Sequence, residues 1–573
     1  MAKRLTWPPK IKMNLLRFGE TGFVLLAALV FSWGLSVCTQ EPAEDFVLVI
    51  TSIFDATVYF PGSNRLGNLV GLLSSGVSDP VSNYHLQVII RMTFSLLWPY
   101  LACCLVLPRR LRLTTTLVYH GVVLSQFSYT AIHVLYSSNH PYSTSLFLLL
   151  SGSLLGRQFV LRRGQYFKVQ LATAGLLMLL SNWVNPTTTV YAFVALSIYG
   201  LLSVAPSVLG ARVLPSEATS YRERYLVTKH SSSMRRLGYV ASILFFALVA
   251  AVLHARIYAE LFPGAVRSFS SPSYLKPLFS LAGISDSFSN LLQEVGGITF
   301  AIEALVVLIA IVYLLFCARM SRSCSERIQL RIGLALVIAG IPFVMAFSQL
   351  QHMANNGYHP RYFLYFSMFT VFAGCCVLVT MLDKFFSAHH GSIRIWPDWM
   401  FYIGLAGLSM YFFAMAGSRQ FGFPVRVCEF SKPDSVHASN GHYAFIQGYF
   451  GIVGSYWDVW PATFHAWREA SNSGVQSRVY PTGYRAEVLA PRMIRDATSR
   501  LMAGEKLRLL CIDQGKTGTE FGTIDCEELV RWNQAWGVLP RIGEVSVTPI
   551  STYSHLHEIV MELPSVLNPK FRK

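Results

Sequence analysis

Long apolar runs recur through the first 416 residues, separated by connections rich in Gly, Pro, Asn, Ser and charge. A helix needs about 17–25 apolar residues to cross a hydrocarbon layer. The pattern predicts eleven such helices, near 21–38, 91–107, 114–135, 144–156, 169–181, 189–210, 239–258, 298–317, 332–349, 362–382 and 399–416. The runs at 144–156 and 169–181 are short for a span and are expected to extend or tilt. Two connections are long. Residues 39–90 contain FVLVITSIF and LGNLVGLLSSGV, and residues 259–297 contain SYLKPLFSLAGI and SFSNLLQEVGG. These pieces are too short to span. They suit helices lying along an interface or, alternatively, plugs packed between helices.

The pattern changes after residue 416. Residues 417–573 hold no spanning run. APRMIRDATSRLMAG repeats its apolar positions at helical spacing, and LRLLCID, EVSVTPIS and HEIVMELP read as short strands. HYAFIQGYFGIVGSYWDVWPATFHAWREA is aromatic and helical in its later half. Its rings form either the core of a small domain or a contact with the bilayer. The expected fold is therefore a polytopic α-helical membrane protein of about eleven transmembrane helices, residues 1–416, followed by a small α/β extracytoplasmic domain, residues 417–573.

Composition agrees. The chain has 573 residues, 53% hydrophobic and only 13% charged, about half the charged share of a soluble domain. Its formal net charge of +17 first suggests nucleic acid, but the placement of the basic residues excludes that. The connections 1–19, 108–113, 157–168, 211–237, 318–331 and 383–394 carry 24 Lys and Arg, whereas 39–90, 136–143, 182–188, 259–297 and 350–361 carry 4. Basic residues stay on the cytoplasmic side in short loops. The N-terminus is thus expected inside and the C-terminal domain outside. The basic N-terminus leads into a retained first helix rather than a cleaved signal. Cys103–Cys104 and Cys375–Cys376 lie in apolar runs and suit packing. Of Cys428, Cys511 and Cys526, the last two are spaced to bridge CIDQGKTGTEFGTIDC, leaving one over. No Asn-x-Ser/Thr sequon occurs, which favours a bacterial inner membrane over a secretory pathway.

Candidate chemistry gathers at the predicted outer surface. GKTG at 515–518 lacks the upstream glycine of a phosphate loop, because Leu510 stands there. Glu44 and Asp45 follow the first run, and Asp55 and Arg65 follow them. His254 and Arg256 end the seventh run. HMANNGYHPRYF brings His352, Asn356, His359, Arg361 and Tyr362 to the start of a late run. Arg361 is the only basic residue in 350–361, where the charge bias disfavours one. A charge so placed usually has a partner or a function, and a guanidinium fork suits phosphate. A carboxylate beside it suits proton abstraction from an acceptor hydroxyl. The competing readings are ordinary ones: a solvated loop for Glu44 and Asp45, a headgroup contact or helix cap for Arg361, and packing for the histidines.

The acidic pair Glu44–Asp45 after the first helix, the long loop with SNRLGNLVGLL, the short turn SNWVNPTTTVY and NGYHPRYF together resemble membrane glycosyltransferases of the GT-C fold. They are most similar to bacterial glucosyltransferases that modify O-antigen. The resemblance covers residues 15–415. It implies a polyprenyl-phosphate sugar as donor and a glycan or lipid-linked acceptor at the outer face, among membrane lipids. Glu44, Asp45 or the rival Asp55 would be the catalytic acid or base, or would ligate a divalent cation. Arg361 would hold the phosphate, with Arg65, Arg256, His352, Asn356, His359 and Tyr362 as further binding candidates. The family's first-loop signature is often Asp-Asp or Asp-x-Asp, whereas this chain has Glu-Asp. Rival readings are a lipid-linked glycan polymerase or ligase, a transporter or flippase relying on Glu303, and a non-catalytic scaffold.

Overall fold

A computed structural model describes residues 21–33, 43–54, 57–60, 66–136, 141–161, 167–210, 245, 248–250, 252–257, 260–261, 280–295, 324–355, 357–389, 407, 436–475, 479–483, 485–513, 525–535, 537–541, 544–553 and 555–563. The chain divides into two compact units. Unit 1 comprises Met1–Leu35, Arg91–Leu253 and Ser270–Arg426; unit 2 comprises Ser36–Ile90, His254–Phe269 and Val427–Lys573. The first long connection thus clusters with the C-terminal segment. In chain order the helices are α1 (Thr21–Trp33), α2 (Ala43–Phe54), α3 (Leu69–Ser74), α4 (Pro80–Val106), α5 (Arg109–Gln126), α6 (Tyr129–Tyr136), α7 (Tyr142–Leu161), α8 (Phe167–Val184), α9 (Pro186–Gly210), α10 (Leu281–Val295), α11 (Cys324–Phe347), α12 (Gln351–Asn355) and α13 (Leu364–His389).

In unit 1 the helices follow the apolar runs, with differences. Among the described residues two helices are long and apolar enough to cross a membrane, Pro80–Val106 and Leu364–Asp383, and six shorter apolar ones accompany them. The run expected at 114–135 is two helices, not one. Phe127 is extended at ψ 154°, and Ser128 Oγ accepts the N–H of Ala131. A serine at that point offers the next turn a cap and so starts α6 afresh. The runs 298–317 and, apart from Gly407, 399–416 lie outside the described residues. α7 and α8 pack closely at Gly152, where a Cβ would sit 3.0 Å from Ala174 O. Leu149 and Met178 fill that seam against Ala192, Phe193 and Leu196 of α9. The outward faces are apolar: Phe23, Leu26, Val30 and Trp33 on α1, Val169 and Leu176 on α8, Leu201 on α9 and Met381 on α13 are all exposed.

Unit 2 contains a five-stranded sheet. Its strands are β1 (Gly451–Val453), β2 (Tyr480–Thr482), β3 (Leu507–Ile512), β4 (Glu544–Pro549) and β5 (Leu556–Glu562), in the order β2-β1-β3-β5-β4. β1 pairs in parallel with β2 and β3, placing Ile452 level with Pro481 and Leu510; β5 runs antiparallel to β3 and β4. Helices α14 (Val436–Ile446), α15 (Tyr456–Asn472), α16 (Ala490–Met502) and α17 (Cys526–Ala535) complete it. The predicted strands are β3, β4 and β5, and the predicted amphipathic helix is α16. The aromatic stretch supplies the core: Trp460 and Phe464 are fully buried, whereas Trp457 is exposed.

FVLVITSIF does not lie along an interface. It is the middle of α2, and Phe46 to Ile50 are all buried. The Phe46 ring stacks on Phe464 at 4.1 Å between centroids, and Phe54 meets Trp467 edge-on at 4.2 Å and stacks on Tyr480 at 5.4 Å. The packed alternative is the one realised, because burying five consecutive large apolar side chains outweighs leaving a face to the interface. A disulfide joins Cys511 at the end of β3 to Cys526 at the start of α17, with Cα atoms 6.0 Å apart.

Candidate functional site

Four connections expected on the outer side of unit 1 converge. Tyr365, on the first turn of α13, is fully buried. Its hydroxyl meets Thr188 Oγ1 and accepts from Asn185 Nδ2 at 3.5 Å, and its ring meets Tyr142 edge-on at 5.1 Å. Thus SNWVNPTTTVY, the turn before α7 and NGYHPRYF are joined around one phenol. Ser145 Oγ donates to Thr188 Oγ1 at 2.7 Å and meets Ser181 Oγ at 3.0 Å, extending the hydroxyl network into α7 and α8. Such groups bury cheaply only when paired.

The fourth connection arrives as α10. Its residues 283, 287 and 291 are buried, the four-residue spacing of a helix packed on one face. One face of this helix is thus packed, as the alternative reading expects. Asn290 Nδ2 donates to Gly357 O at 3.0 Å and to Tyr358 O at 3.3 Å, and Gln349 Nε2 donates to Ser280 O at 3.0 Å. Gly283 leaves the space Tyr358 needs; a Cβ there would lie 2.6 Å from the Tyr358 hydroxyl.

These contacts hold a strained turn. Gly357 and Tyr358 are both left-handed, at φ 58° and 51°. Their N–H groups bond back to Ala354 O at 3.0 Å and Met353 O at 2.9 Å, closing the end of α12. A bulky residue in this region costs about 1–2 kcal/mol and persists only where neighbours impose it. The turn delivers Pro360–Tyr362 as a single 3-10 turn ahead of α13. The Arg361 N–H donates to His359 Nδ1 at 3.2 Å, and its guanidinium donates to Tyr362 Oη at 3.0 Å with its carbon 5.0 Å from that ring's centroid. His359, Arg361 and Tyr362 are each half-buried. The result is a fixed cation with phenol and imidazole at its sides, where an incoming oxyanion would find charge-assisted donors.

The other candidates are placed as follows. His352 is on α12, and Asn356 lies outside the described residues. Glu44 and Asp45 are the second and third residues of α2, in unit 2. Asp55 and Arg65 lie outside the described residues. Arg256, also in unit 2, is exposed and pairs with Glu260 at 3.5 Å. His254 Nδ1 meets the Tyr59 hydroxyl, which links the end of the seventh run to the first connection. Among the described residues no group of three or more His, Cys, Asp or Glu is arranged to hold a metal ion.

Two arginines beside the first connection escape sequence reasoning. Arg492 donates to Phe54 O at 3.2 Å and lies 5.2 Å from that ring's centroid. Arg485, at φ 71°, lies 5.0 Å from both the Phe60 and the Tyr456 rings and donates to Tyr456 Oη at 3.0 Å. They contact Phe54 and Phe60 of the first connection. The C-terminal segment has 17 basic and 15 acidic residues, so a near-neutral balance gave these two no distinguishing signal.

No family model matches the chain, and no curated protein matches it by sequence. Among solved structures it is similar to the archaeal oligosaccharyltransferase AglB from Archaeoglobus fulgidus, in complex with an inhibitory peptide and a dolichol-phosphate: 11% identity, 94% of this chain and 74% of that one, TM-score 0.42. It is also similar to ArnT from Cupriavidus metallidurans bound to undecaprenyl phosphate: 11% identity, 95% of this chain and 98% of that one, TM-score 0.45. Similarity this distant fixes neither the activity nor the fold of the present chain.

Proposed function

We propose that this chain is an integral membrane glycosyltransferase that moves a sugar from a polyprenyl-phosphate donor to a glycan or lipid-linked acceptor on the non-cytoplasmic side. The observation that carries this reading is the Arg361 turn. Hydrogen bonds from Asn290 and two left-handed residues hold the turn that carries Arg361 to the start of an apolar helix, with its guanidinium against Tyr362. A lipid-borne phosphate would find its tail accommodated along the apolar faces and its headgroup at Arg361, with Tyr362 beside it. In the proposed reaction an acidic residue of the first connection, Glu44, Asp45 or Asp55, takes the proton from the acceptor hydroxyl, which attacks the anomeric carbon. The bond from that carbon to the phosphate oxygen breaks, and Arg361 stabilises the charge left on the departing polyprenyl phosphate.

The test uses undecaprenyl phosphate as probe and the full chain in lipid nanodiscs. Binding read by native mass spectrometry should weaken about tenfold or more in Arg361→Ala, with Arg361→Lys intermediate, because an ammonium keeps the charge but loses the fork. Wild-type binding by both variants overturns the phosphate role. For transfer, Glu44→Gln, Asp45→Asn and Asp55→Asn are compared; full activity in all three removes the general-base assignment.

A further inference from the structure

The two helices long and apolar enough to cross a membrane, α4 and Leu364–Asp383 of α13, each carry two adjacent cysteines. None of the four is in a disulfide; Cys103 and Cys375 are buried, and Cys104 and Cys376 are half-buried. A lone cysteine in such a place packs like a small apolar residue. Adjacent cysteines on a helix cannot readily bridge each other, because their Cα atoms stand about 3.8 Å apart, short of the roughly 4.4–6.8 Å that a disulfide spans. A bridge therefore needs a thiol from the other helix.

The helix α5 sets the heights. On α13, Phe372 meets Tyr119 at 6.1 Å and Asp383 pairs with Arg110 at 2.7 Å. The two helices thus run antiparallel, and between those points Cys376 falls level with Thr116. On α4, Trp98 meets Tyr119 at 5.2 Å, and Thr116 Oγ1 lies 3.7 Å from Cys103 Sγ. Trp98 also meets Phe369 and Phe372 at 5.8 and 5.9 Å, so α4 and α13 share the seam. Cys103 and Cys376 therefore arrive at one level from two helices, and their thiols are hydrogen-bonded to each other. Cys375 also lies near Cys103 and is the competitor for that partner.

We propose that Cys103 and Cys376 form a reversible oxidation site that a hydroperoxide closes to a disulfide between α4 and α13. Hydrogen peroxide is small and uncharged, and it meets the half-buried thiol of Cys376 first. The Cys376 sulfur attacks one peroxide oxygen, the O–O bond breaks, and the thiol proton leaves with the released hydroxide as water. The Cys376 sulfenic acid that results is attacked by the Cys103 sulfur; the S–O bond breaks, a second water leaves and the S–S bond forms. Two electrons pass from the thiols to one peroxide. A dithiol reductant reverses the step by exchange. The adjoining connections 108–113 and 383–394 are expected on the cytoplasmic side, where such bridges are transient. The inference is independent of the glycosyl-transfer reading.

The test places the full chain in nanodiscs, reduces it with dithiothreitol, removes the reductant and adds hydrogen peroxide in excess. The chain is then unfolded, its remaining thiols are alkylated, and its peptides are mapped by mass spectrometry. Wild type should yield a linked peptide joining Cys103 to Cys376, two hydrogens lighter than the free pair and lost on renewed reduction. Cys103→Ala and Cys376→Ala should each lose the link completely, whereas Cys104→Ala and Cys375→Ala should keep it. In Cys103→Ala the Cys376 sulfenic acid has no partner and should proceed to sulfinic acid. Peroxide should raise the thermal midpoint of the wild type but not of Cys103→Ala, because the bridge closes a long loop. The wild-type map decides the question even where a variant folds poorly. Alkylation of both Cys103 and Cys376 after peroxide, a link from Cys103 to Cys375, or sulfinic acid at Cys376 as the main wild-type product each overturns the site. Arg361→Ala should bridge as wild type does, so a failed donor test and a failed bridge are read separately.

Discussion

In unit 1 a set of buried hydroxyls bond one another while a row of large apolar side chains is exposed; in unit 2 aromatic side chains are buried and ion pairs lie at the surface. Ser145, Ser181, Thr188 and Tyr365 bond one another out of contact with solvent, while Phe23, Val30, Trp33 and Leu201 are exposed. Unit 2 buries Phe46, Trp460 and Phe464 and carries its ion pairs at the surface, as with Arg508–Glu558 and Lys506–Glu562. A contiguous apolar exterior is unfavourable in water and costs nothing in lipid, where buried polar groups must find partners within the protein. If unit 1 sits in lipid, as proposed, and unit 2 in water, each should answer a different perturbation.

The largest expected effect falls on unit 2 alone. The Cys511–Cys526 bridge spans 15 residues of sequence, and closing a loop of that size is worth about 3 kcal/mol. Cys526→Ser, or reduction of the wild type, should speed hydrogen exchange in β3 and β5 and leave α7 and α8 unchanged. Equal acceleration in both units would break the comparison, since it would make the chain one cooperative body.

The next effect falls on unit 1. Tyr365→Phe keeps the ring against Tyr142 and Tyr191 but removes one partner each from Thr188 Oγ1 and Asn185 Nδ2. Leaving a buried polar group unmatched costs about 1–3 kcal/mol, so the thermal midpoint in nanodiscs should fall. Thr188→Val in the same background should cost less than it does alone, because the two changes share the Tyr365–Thr188 bond and only the Ser145 bond to Thr188 is lost in addition. Full additivity of the two would show that the hydroxyls act independently and that the network is only apparent.

These contrasts show what was legible in the sequence. The length of the apolar runs exposed most helices of unit 1, helical spacing exposed α16, and short apolar stretches exposed three of the five strands. β1 and β2 have three residues each, too short for any period to register. The break at Phe127–Ser128 was hidden because a serine cap inside an apolar run leaves mean hydropathy nearly unchanged. Arg361 stood out through its sign against the charge bias, and NGYHPRYF through its polar density. Asn290, Gly283 and Tyr358, which hold that turn, are ordinary residues in sequence and gain their roles only through contacts across 60 or more positions. α2 misled because a fully buried helix and an interfacial helix share the same apolar run, and only the partner, here Phe464, distinguishes them.

The smallest expected effect separates the two solvents by pH. Asp79, just before α4 in unit 2, accepts the Ser82 N–H at 2.8 Å and the Ser471 hydroxyl at 2.7 Å. Partial burial, the largest single influence, pushes its carboxyl up, but the hydrogen bonds from Ser82 and Ser471, with the nearby His85, together hold it below its ordinary value of 3.8. A carboxyl depressed in the folded state stabilises fully above its unfolded value, and that contribution is lost as pH falls through the folded one. Unit 2 should therefore lose stability in acid, beginning near the ordinary carboxylate range, while Asp79→Asn should flatten that part of the profile and leave neutral stability lower by a small amount. Ser471→Ala should flatten it in part, because the Ser82 N–H remains. The Asp79 carboxylate is only partly buried, so salt and water screen it and the shift should be modest. An acid limb unchanged in Asp79→Asn would assign the loss to other carboxylates, and an equal acid loss in α7 and α8, which carry no Asp or Glu, would mean that the two units do not titrate separately.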